Sequence, residues 1–312
     1  HMSGAAPYFT EIASGPGDGR AFWLTTGDGR RIRVARWGVG AAKGSVLLFP
    51  GRTEYAEKYG PAAGEFLARG FATLAVDWRG QGLADRIAPN PLQGHVGRFF
   101  DYQQDVAAMV AFARESGLPQ PWYLVAHSMG GAIGLRALAQ GLAVRAALFT
   151  APMWGIRMSA ALRPVAWTLS AASRPLGLGL SFAPGHGPES YVAEAAFEDN
   201  TLTHDRGMFD FMRAQVRAHP ELLLGGPSLV WLHESLLELR RLQALPLPKL
   251  PVVTMLGADE AIVDSRAVRR RMARWPGATL IEVPAARHEL MMERPEVRTQ
   301  VFDKAAELFG QG

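Results

Sequence analysis

Apolar residues follow two rhythms along this chain. Short, nearly unbroken apolar runs occur at Val46-Leu47-Leu48-Phe49, Ala72-Thr73-Leu74-Ala75-Val76, Trp122-Tyr123-Leu124-Val125-Ala126, Ala146-Ala147-Leu148-Phe149 and Val252-Val253-Thr254-Met255-Leu256. Between and after them, residues 61–68, 100–115, 130–140, 265–275 and 295–309 carry the spacing of amphipathic helices, and a last strand is expected at 280–283. Continuous apolar strands alternating with helices predict an α/β fold, a mostly parallel central sheet covered by helices on both faces. At the start, residues 21–25 and 32–37 flank Gly27-Asp28-Gly29, the short-range signal of an antiparallel hairpin.

The rhythm breaks over residues 152–245. That stretch has helical pieces without a buried-strand pattern, and its Trp154, Trp167, Phe182, Phe209, Phe211 and Trp231 read as exposed aromatics. It is expected to be a helical cap inserted between two strands, with Leu245-Pro246-Leu247-Pro248-Lys249-Leu250-Pro251 as the hinge back into the sheet. Residues 7–151 and 246–312 would then form the core, while residues 1–6 read as a tag scar and a loose N-terminus.

Composition narrows the chemistry. With 48% hydrophobic and 20% charged residues among 312, the chain can bury a substantial core, and its 34 Gly and 21 Pro exclude a long coiled coil. The net charge of +4 is too small to argue for nucleic acid and favours at most contact with an anionic membrane surface. The longest uncharged stretch, residues 116–135, holds Pro119, Gln120, Pro121, His127 and four glycines, a poor membrane span. No basic-then-apolar leader precedes Thr10, so the expected location is the cytoplasm, peripheral to the inner face of the membrane where lipid is met. Cysteine is absent, which excludes disulfides, thiolate metal sites and a cysteine nucleophile. Neither H-E-x-x-H spacing, a phosphate-binding G-x-x-x-x-G-K-[ST] loop nor a G-x-G-x-x-G string occurs, so no metal or organic cofactor is expected.

The segment that carries chemistry is the strand ending in Ala126-His127-Ser128-Met129-Gly130-Gly131, followed at once by a helix. Small residues two before and two after a serine let the chain turn sharply from strand to helix, which projects Ser128 at the carboxyl edge of the sheet. Ala126 stands where this pattern most often has glycine. A serine needs a general base that is itself oriented, and in this architecture the chain order is serine, acid, histidine. His288, in the loop after the last predicted strand, is the base; His95, His127, His186, His204, His219 and His233 fall in the elbow, other loops or the cap. The acid should follow the strand at 252–256, where Asp259, Glu260 and Asp264 all stand. Asp264 directly precedes Ser265 and suits a helix cap. An oxyanion hole requires two backbone N–H groups, which Met129 and Arg52 of the Pro50-Gly51-Arg52-Thr53 loop would supply. Asp77-Trp78-Arg79-Gly80-Gln81-Gly82 reads as structural, bending the chain around the site.

Together the stretches Phe49-Pro50-Gly51-Arg52-Thr53-Glu54-Tyr55, Asp77-Trp78-Arg79-Gly80-Gln81-Gly82, Ala126 through Gly131, residues 257–264 and Arg287-His288-Glu289-Leu290 resemble α/β-hydrolases of the lysophospholipase and monoacylglycerol lipase group, and within it the bacterial lysophospholipase L2-like proteins. The loop that commonly reads His-Gly there reads Pro50-Gly51 here. In that group the acid stands four residues before an aspartate such as Asp264, which implies Glu260, with Asp259 as the alternative. The resemblance implies a serine carboxylic-ester hydrolase that forms an acyl-enzyme on a mono-acyl lipid, a lysophospholipid or a monoacylglycerol. It also implies an acyl tunnel shaped by the cap, for which Trp154, Phe209, Met212 and Trp231 are candidates, beside Met153, Met158, Met208 and Phe211. Two other readings compete. A peptidase or amidase such as an iminopeptidase would need carboxylates for a substrate amine, with Glu194, Glu198, Asp199, Asp205 and Asp210 available; a non-catalytic binding module of the same fold would need none of this chemistry.

Overall fold

The computed structural model describes residues 4–311. Nine strands form one sheet: β1 (Gly4–Ala6), β2 (Arg20–Thr25), β3 (Arg31–Trp37), β4 (Gly44–Phe49), β5 (Phe71–Asp77), β6 (Trp122–His127), β7 (Ala147–Thr150), β8 (Val252–Gly257) and β9 (Ala278–Val283). Their order is β1-β2-β3-β5-β4-β6-β7-β8-β9, antiparallel from β1 to β5 and parallel from there on. The predicted hairpin is β2–β3, with Thr25 opposite Arg31. Every residue of β4, β5, β6, β7 and β8 is buried, the mark of a parallel sheet covered on both faces.

The helices are α1 (Thr10–Ala13), α2 (Gly60–Ala68), α3 (Tyr102–Glu115), α4 (Met129–Ala139), α5 (Leu162–Ser173), α6 (Tyr191–Glu194), α7 (Arg206–Ala218), α8 (Leu229–Gln243), α9 (Ser265–Ala273) and α10 (Pro295–Gln311). Phe66 of α2 meets Phe302 of α10 edge to face, and Phe309 of α10 stacks on Tyr123 of β6, so the last helix is bound to the middle of the sheet by aromatic packing. On α3, Phe112 packs against Phe22 of β2. Asp264 accepts the N–H groups of Arg266 and Ala267 and caps α9, as its place before Ser265 suggested.

Residues 4–6 differ from the expectation of a loose start. Residues 1–3 lie outside the described residues, whereas Gly4–Ala6 pair with Ala21, Phe22 and Trp23 as the edge strand. Glycine and alanine carry no apolar alternation, so a strand held by backbone hydrogen bonds alone leaves no pattern to read. Between β7 and β8 run α5, α6, α7 and α8 with no strand among the described residues, only the isolated bridges Ile156 to Val263, Phe182 to Ser228 and Pro227 to Gly94. Helix α8 closes onto the core through Trp231, Leu239 and Leu242, and its Glu238 pairs with Arg136 of α4. The aromatics of this segment are not uniformly exposed: Trp154, Phe209 and Trp231 are buried.

Candidate active site

The turn from β6 into α4 forces Ser128 to φ 53° and ψ −119°, a left-handed conformation that costs a non-glycine residue on the order of 1–3 kcal/mol. The surroundings hold it there. Its N–H donates to Thr150 O, and its carbonyl accepts from Gly131 and Met153. A Cβ at Gly130 would lie 2.0 Å from Phe49 O, so α4 can start this close to β4 only with glycine at that position. Ala126 lies in register with Phe49 and Phe149 and is fully buried, so the methyl that replaces the more usual glycine hydrogen is accommodated in the sheet.

Two loops converge on this serine from the far end of the chain. The loop after β8 and the loop after β9 are laced together by Ala258 N–H to Val283 O and Asp259 N–H to Ala286 O. They approach so closely that a Cβ on Gly257 would stand 2.2 Å from Ala286 O. His288 Nε2 lies 3.1 Å from Ser128 Oγ, and His288 Nδ1 lies 2.8 Å from Glu260 Oε1. The other oxygen of Glu260 accepts the N–H groups of Ile262 (2.6 Å) and Val263 (3.0 Å). Burial alone would raise the Glu260 carboxyl, but the facing His288, the hydrogen bond to it and the two amides hold it below its ordinary value. An ionised carboxylate only accepts, so Nδ1 carries the proton and Nε2 keeps a lone pair directed at the serine hydroxyl. Asp259, on the outward side of the same turn, pairs instead with His204 and is half exposed.

The main-chain N–H groups of Arg52 and Met129 make no hydrogen bond among the described residues, while the neighbouring Gly51 N–H is taken by Glu54. The loop carrying Arg52 is braced from below. Trp78 Nε1 donates to Pro50 O, and Gln81 Nε2 donates to the carbonyls of Gly51 and Glu54. This gives the Asp77 to Gly82 string its structural role: Asp77 receives Arg33 and the Ala56 and Leu83 amides, and Arg79 is held by Asp28 and Asp105.

Beneath the site lies a buried polar cluster that the sequence reading missed. Lys58 bridges Glu54 and Glu289, Tyr59 donates to Glu54, and His127 pairs with Glu289 at 2.7 Å while its other nitrogen faces Thr150. Burial would lower the His127 imidazole, but Glu289 and Glu54 raise it; burial would raise Glu289, but Lys58 and His127 hold it well below the ordinary carboxylate value. The signal available was adjacency, since Glu289 follows His288, His127 precedes Ser128, and Glu54 and Lys58 follow the Arg52 loop. His127, His288 and Glu289 bring ligand atoms within 4.8 Å of one another. They do not suit a metal ion, because the Lys58 ammonium already sits against Glu289 where a cation would be placed.

Ser128, His288, Arg52 and Met129 open onto a cavity of about 920 Å³ whose walls are largely aliphatic, among them Leu162, Val165, Leu169, Val216, Leu222 and Leu224. Met212 and Trp231 line it, as do Met153 and Met158. Trp154 and Phe209 do not, which corrects their expected substrate role. Trp154 lies just past β7, packed on Phe149 and Trp275 with its indole N–H on Gly131 O. Phe209 is fully buried against Phe197, Met212 and Met292, and Met208 and Phe211 join the same cluster. Of the acidic residues considered for an amine, Glu194 reaches the cavity but is exposed, Glu198 pairs with Arg206, and Asp205 caps α7.

Residues 40–295 match the protein family described as serine aminopeptidase, S33. Lysophospholipase L2 of Escherichia coli is 31% identical over 283 residues, spanning 85% of this chain and 80% of that protein. A probable lysophospholipase L2 of Haemophilus influenzae is 29% identical over 264 residues, spanning 84% and 82%. Among solved structures, a soluble variant of the Saccharomyces cerevisiae monoglyceride lipase in complex with a substrate analog superposes with a TM-score of 0.70 at 20% identity, covering 92% of this chain and 94% of that one. The monoacylglycerol lipase of Paleococcus ferrophilus gives 0.67 at 19% identity, covering 89% and 98%. At these identities the structural likeness is one of fold.

Proposed function

Since the chain belongs to the serine aminopeptidase S33 family of α/β-hydrolases and to its lysophospholipase L2 branch, we propose that it is a serine carboxylic-ester hydrolase acting on a mono-acyl lipid, a lysophospholipid or monoacylglycerol. Ser128 attacks the ester carbonyl while neutral His288 takes its proton at Nε2, and Glu260 holds the imidazolium that results. The Arg52 and Met129 N–H groups receive the oxyanion. His288 returns the proton to the leaving alcohol, and water repeats the cycle on the acyl-enzyme to release the fatty acid. Residues 7–151 and 246–312 form the catalytic core, and residues 152–245 the cap that walls the acyl site.

The observation that carries this reading is a hydrogen-bonded Ser128–His288–Glu260 chain opening into an aliphatic cavity of about 920 Å³, a volume within the range of sites that enclose a whole small ligand. A substrate amine would instead need a free buried carboxylate, and the buried Glu54 and Glu289 of this cavity are both held by Lys58. Contact with a lipid surface is part of the proposal. Leu162 and Val165 of α5 and Leu176, Leu178 and Leu180 beyond it stand 59, 57, 68, 47 and 49% exposed, apolar side chains suited to a bilayer or micelle. No helix among the described residues is long and apolar enough to cross a membrane.

The test is a panel of acyl esters, lysophospholipids, monoacylglycerols and aminoacyl amides, run with wild type and Ser128→Ala. Ester and mono-acyl lipid turnover lost in the variant is the expected outcome. Retained turnover in Ser128→Ala, or a preference for proline amides, refutes the reading.

A further inference from the structure

Two buried arginines have carboxylate partners, Arg33 with Glu57 and Asp77 and Arg79 with Asp28 and Asp105, while buried Arg271 has none and packs over the Trp154 ring outside the catalytic cavity. Arg52 differs. Its side chain lies in the wall of the catalytic cavity with no carboxylate in ion-pair contact. Nη1 donates to Gly225 O at 2.8 Å, the guanidinium lies 5.6 Å over the Trp231 ring, and its remaining N–H groups make no hydrogen bond among the described residues. Burial pulls this guanidinium down to about 10, the response of a cation whose surroundings supply no counter-charge.

The cradle is built rather than incidental. The Gly94 N–H donates to Gly226 O and the Gly225 N–H to Leu92 O, which fixes the two strips of chain beside the guanidinium. A Cβ on Gly94 would come within 3.0 Å of Nη1. Other charges on the cavity wall are answered or stand outside. The carboxylates of Glu54 and Glu289 face Lys58 and His127, His288 faces Glu260, Arg157 is exposed and donates to Glu260 O, and Glu189 and Glu194 are exposed. The interior of the cavity therefore presents one uncompensated positive fork, on the residue next to Gly51, whose Cβ position is 3.1 Å from that of Ser128.

Resting on the mono-acyl ester reading of this cavity, we infer that the Arg52 guanidinium receives a phosphate on the substrate's head group, so that phosphate-bearing mono-acyl lipids are selected over uncharged monoacylglycerols. A planar fork with free N–H groups matches two phosphate oxygens, and beside largely aliphatic walls the pair is stronger than at an open surface. In a glycerophospholipid the phosphate is joined to the acyl ester through the glycerol carbons alone, which suits a cation on a residue whose main chain adjoins the nucleophile. His186, whose imidazole is held below its usual range by burial and then by Arg52, lines the same wall as a neutral hydrogen-bonding partner.

The experiment measures binding by tryptophan fluorescence, since Trp231 adjoins the guanidinium, for n-decyl phosphate, 1-O-decylglycerol and inorganic phosphate, each below its micellar concentration. Alongside it, kcat/KM is measured for a lysophospholipid and a monoacylglycerol of equal chain length. Wild type should bind decyl phosphate at least tenfold more tightly than decylglycerol, and Arg52→Gln should bring that ratio to about one and lower the lysophospholipid to monoacylglycerol ratio of kcat/KM tenfold or more, chiefly through KM. Arg52→Lys, which keeps charge without the fork, should fall between and serves if the glutamine variant fails to fold. Equal losses for charged and uncharged ligands, or unchanged ratios in both variants, overturn the inference. So does inorganic phosphate binding as tightly as decyl phosphate, which would mark a site for the free ion. Preferential decyl phosphate binding by a wild type that hydrolyses no ester refutes the esterase reading but supports the phosphate site; hydrolysis of both lipids with a ratio insensitive to residue 52 refutes the phosphate site alone.

Discussion

Glu260→Gln exchanges one oxygen for an amide nitrogen, and the hydrogen bonds at this carboxyl say what that does. One oxygen accepts from Ile262 and Val263, and the other faces His288 Nδ1. If the glutamine keeps its carbonyl on the two amides, its NH₂ points at Nδ1, which must then accept. The imidazole proton moves to Nε2, and His288 can no longer take a proton from Ser128. The active tautomer requires the flipped amide, with NH₂ against two N–H donors that lose their acceptor. Two orphaned donors cost roughly 1–3 kcal/mol each, and the neutral side chain stabilises the imidazolium less. A barrier higher by about 3–5 kcal/mol follows, a fall in kcat of roughly 10²- to 10⁴-fold at 1.36 kcal/mol per decade. Asp259→Asn, at an exposed pair with His204, should change kcat by less than about threefold, as exposed ion pairs contribute little. The assay is steady-state hydrolysis of a soluble p-nitrophenyl acyl ester at pH 7, with thermal unfolding to verify folding. The reasoning is refuted if Glu260→Gln keeps more than a tenth of wild-type kcat, or if Asp259→Asn is the more damaging change.

Two further outcomes are expected. Glu289→Gln leaves Lys58 with Glu54 alone and His127 without its nearest carboxylate and should cost about 1.5–3 kcal/mol at pH 7; because the Glu289 carboxyl is held well below its ordinary value of 4.5, its contribution is full above that pH and is lost as pH falls through the folded value. The gap in melting temperature between wild type and variant should therefore narrow on acidification below pH 4.5, and a constant gap in a pH series of thermal melts contradicts the pairing. Replacing Leu176, Leu178 and Leu180 together by serine removes about half-exposed leucines worth on the order of 1 kcal/mol each at a lipid surface. Partition onto anionic vesicles, followed by sedimentation, should weaken at least tenfold, and unaltered partition removes this surface from the lipid contact.

The alternation of apolar runs and helical spacing was enough to read the sheet, because buried parallel strands and their covering helices each leave a local pattern. Ser128 and His288 were legible for a related reason: one sits in a steric motif of a few residues, the other in a place dictated by strand order. Choosing between Asp259 and Glu260 was harder. The two are adjacent, and what separates them is that Asp259 N–H reaches Ala286 O while the Glu260 side chain folds back onto Ile262 and Val263. That orientation comes from the neighbouring loop and has no sequence signal of its own. Trp154 and Phe209 show the limit of composition, since a large apolar side chain reads the same whether it faces a cavity or fills a core; on α7, Phe209 and Met212 pack with Met292 in one cluster, and of the two Met212 alone also reaches the cavity. The Glu54, Lys58, His127 and Glu289 cluster pairs groups distant in sequence, and only the closed sheet brings them together.

The chain leaves the sheet at Thr150 and re-enters at Val252, yet β7 and β8 are side by side, with Thr150 opposite Met255. Topologically, the whole intervening segment is therefore a single detour that begins and ends at neighbouring points. Ser128 stands before it and Glu260 and His288 after it, so the detour can change in length without touching the hydrogen bonds that join these three residues. The same geometry offers engineers a graft point: a foreign segment joined at these two strand ends would bring a new cavity wall to an unchanged Ser128–His288–Glu260 chain.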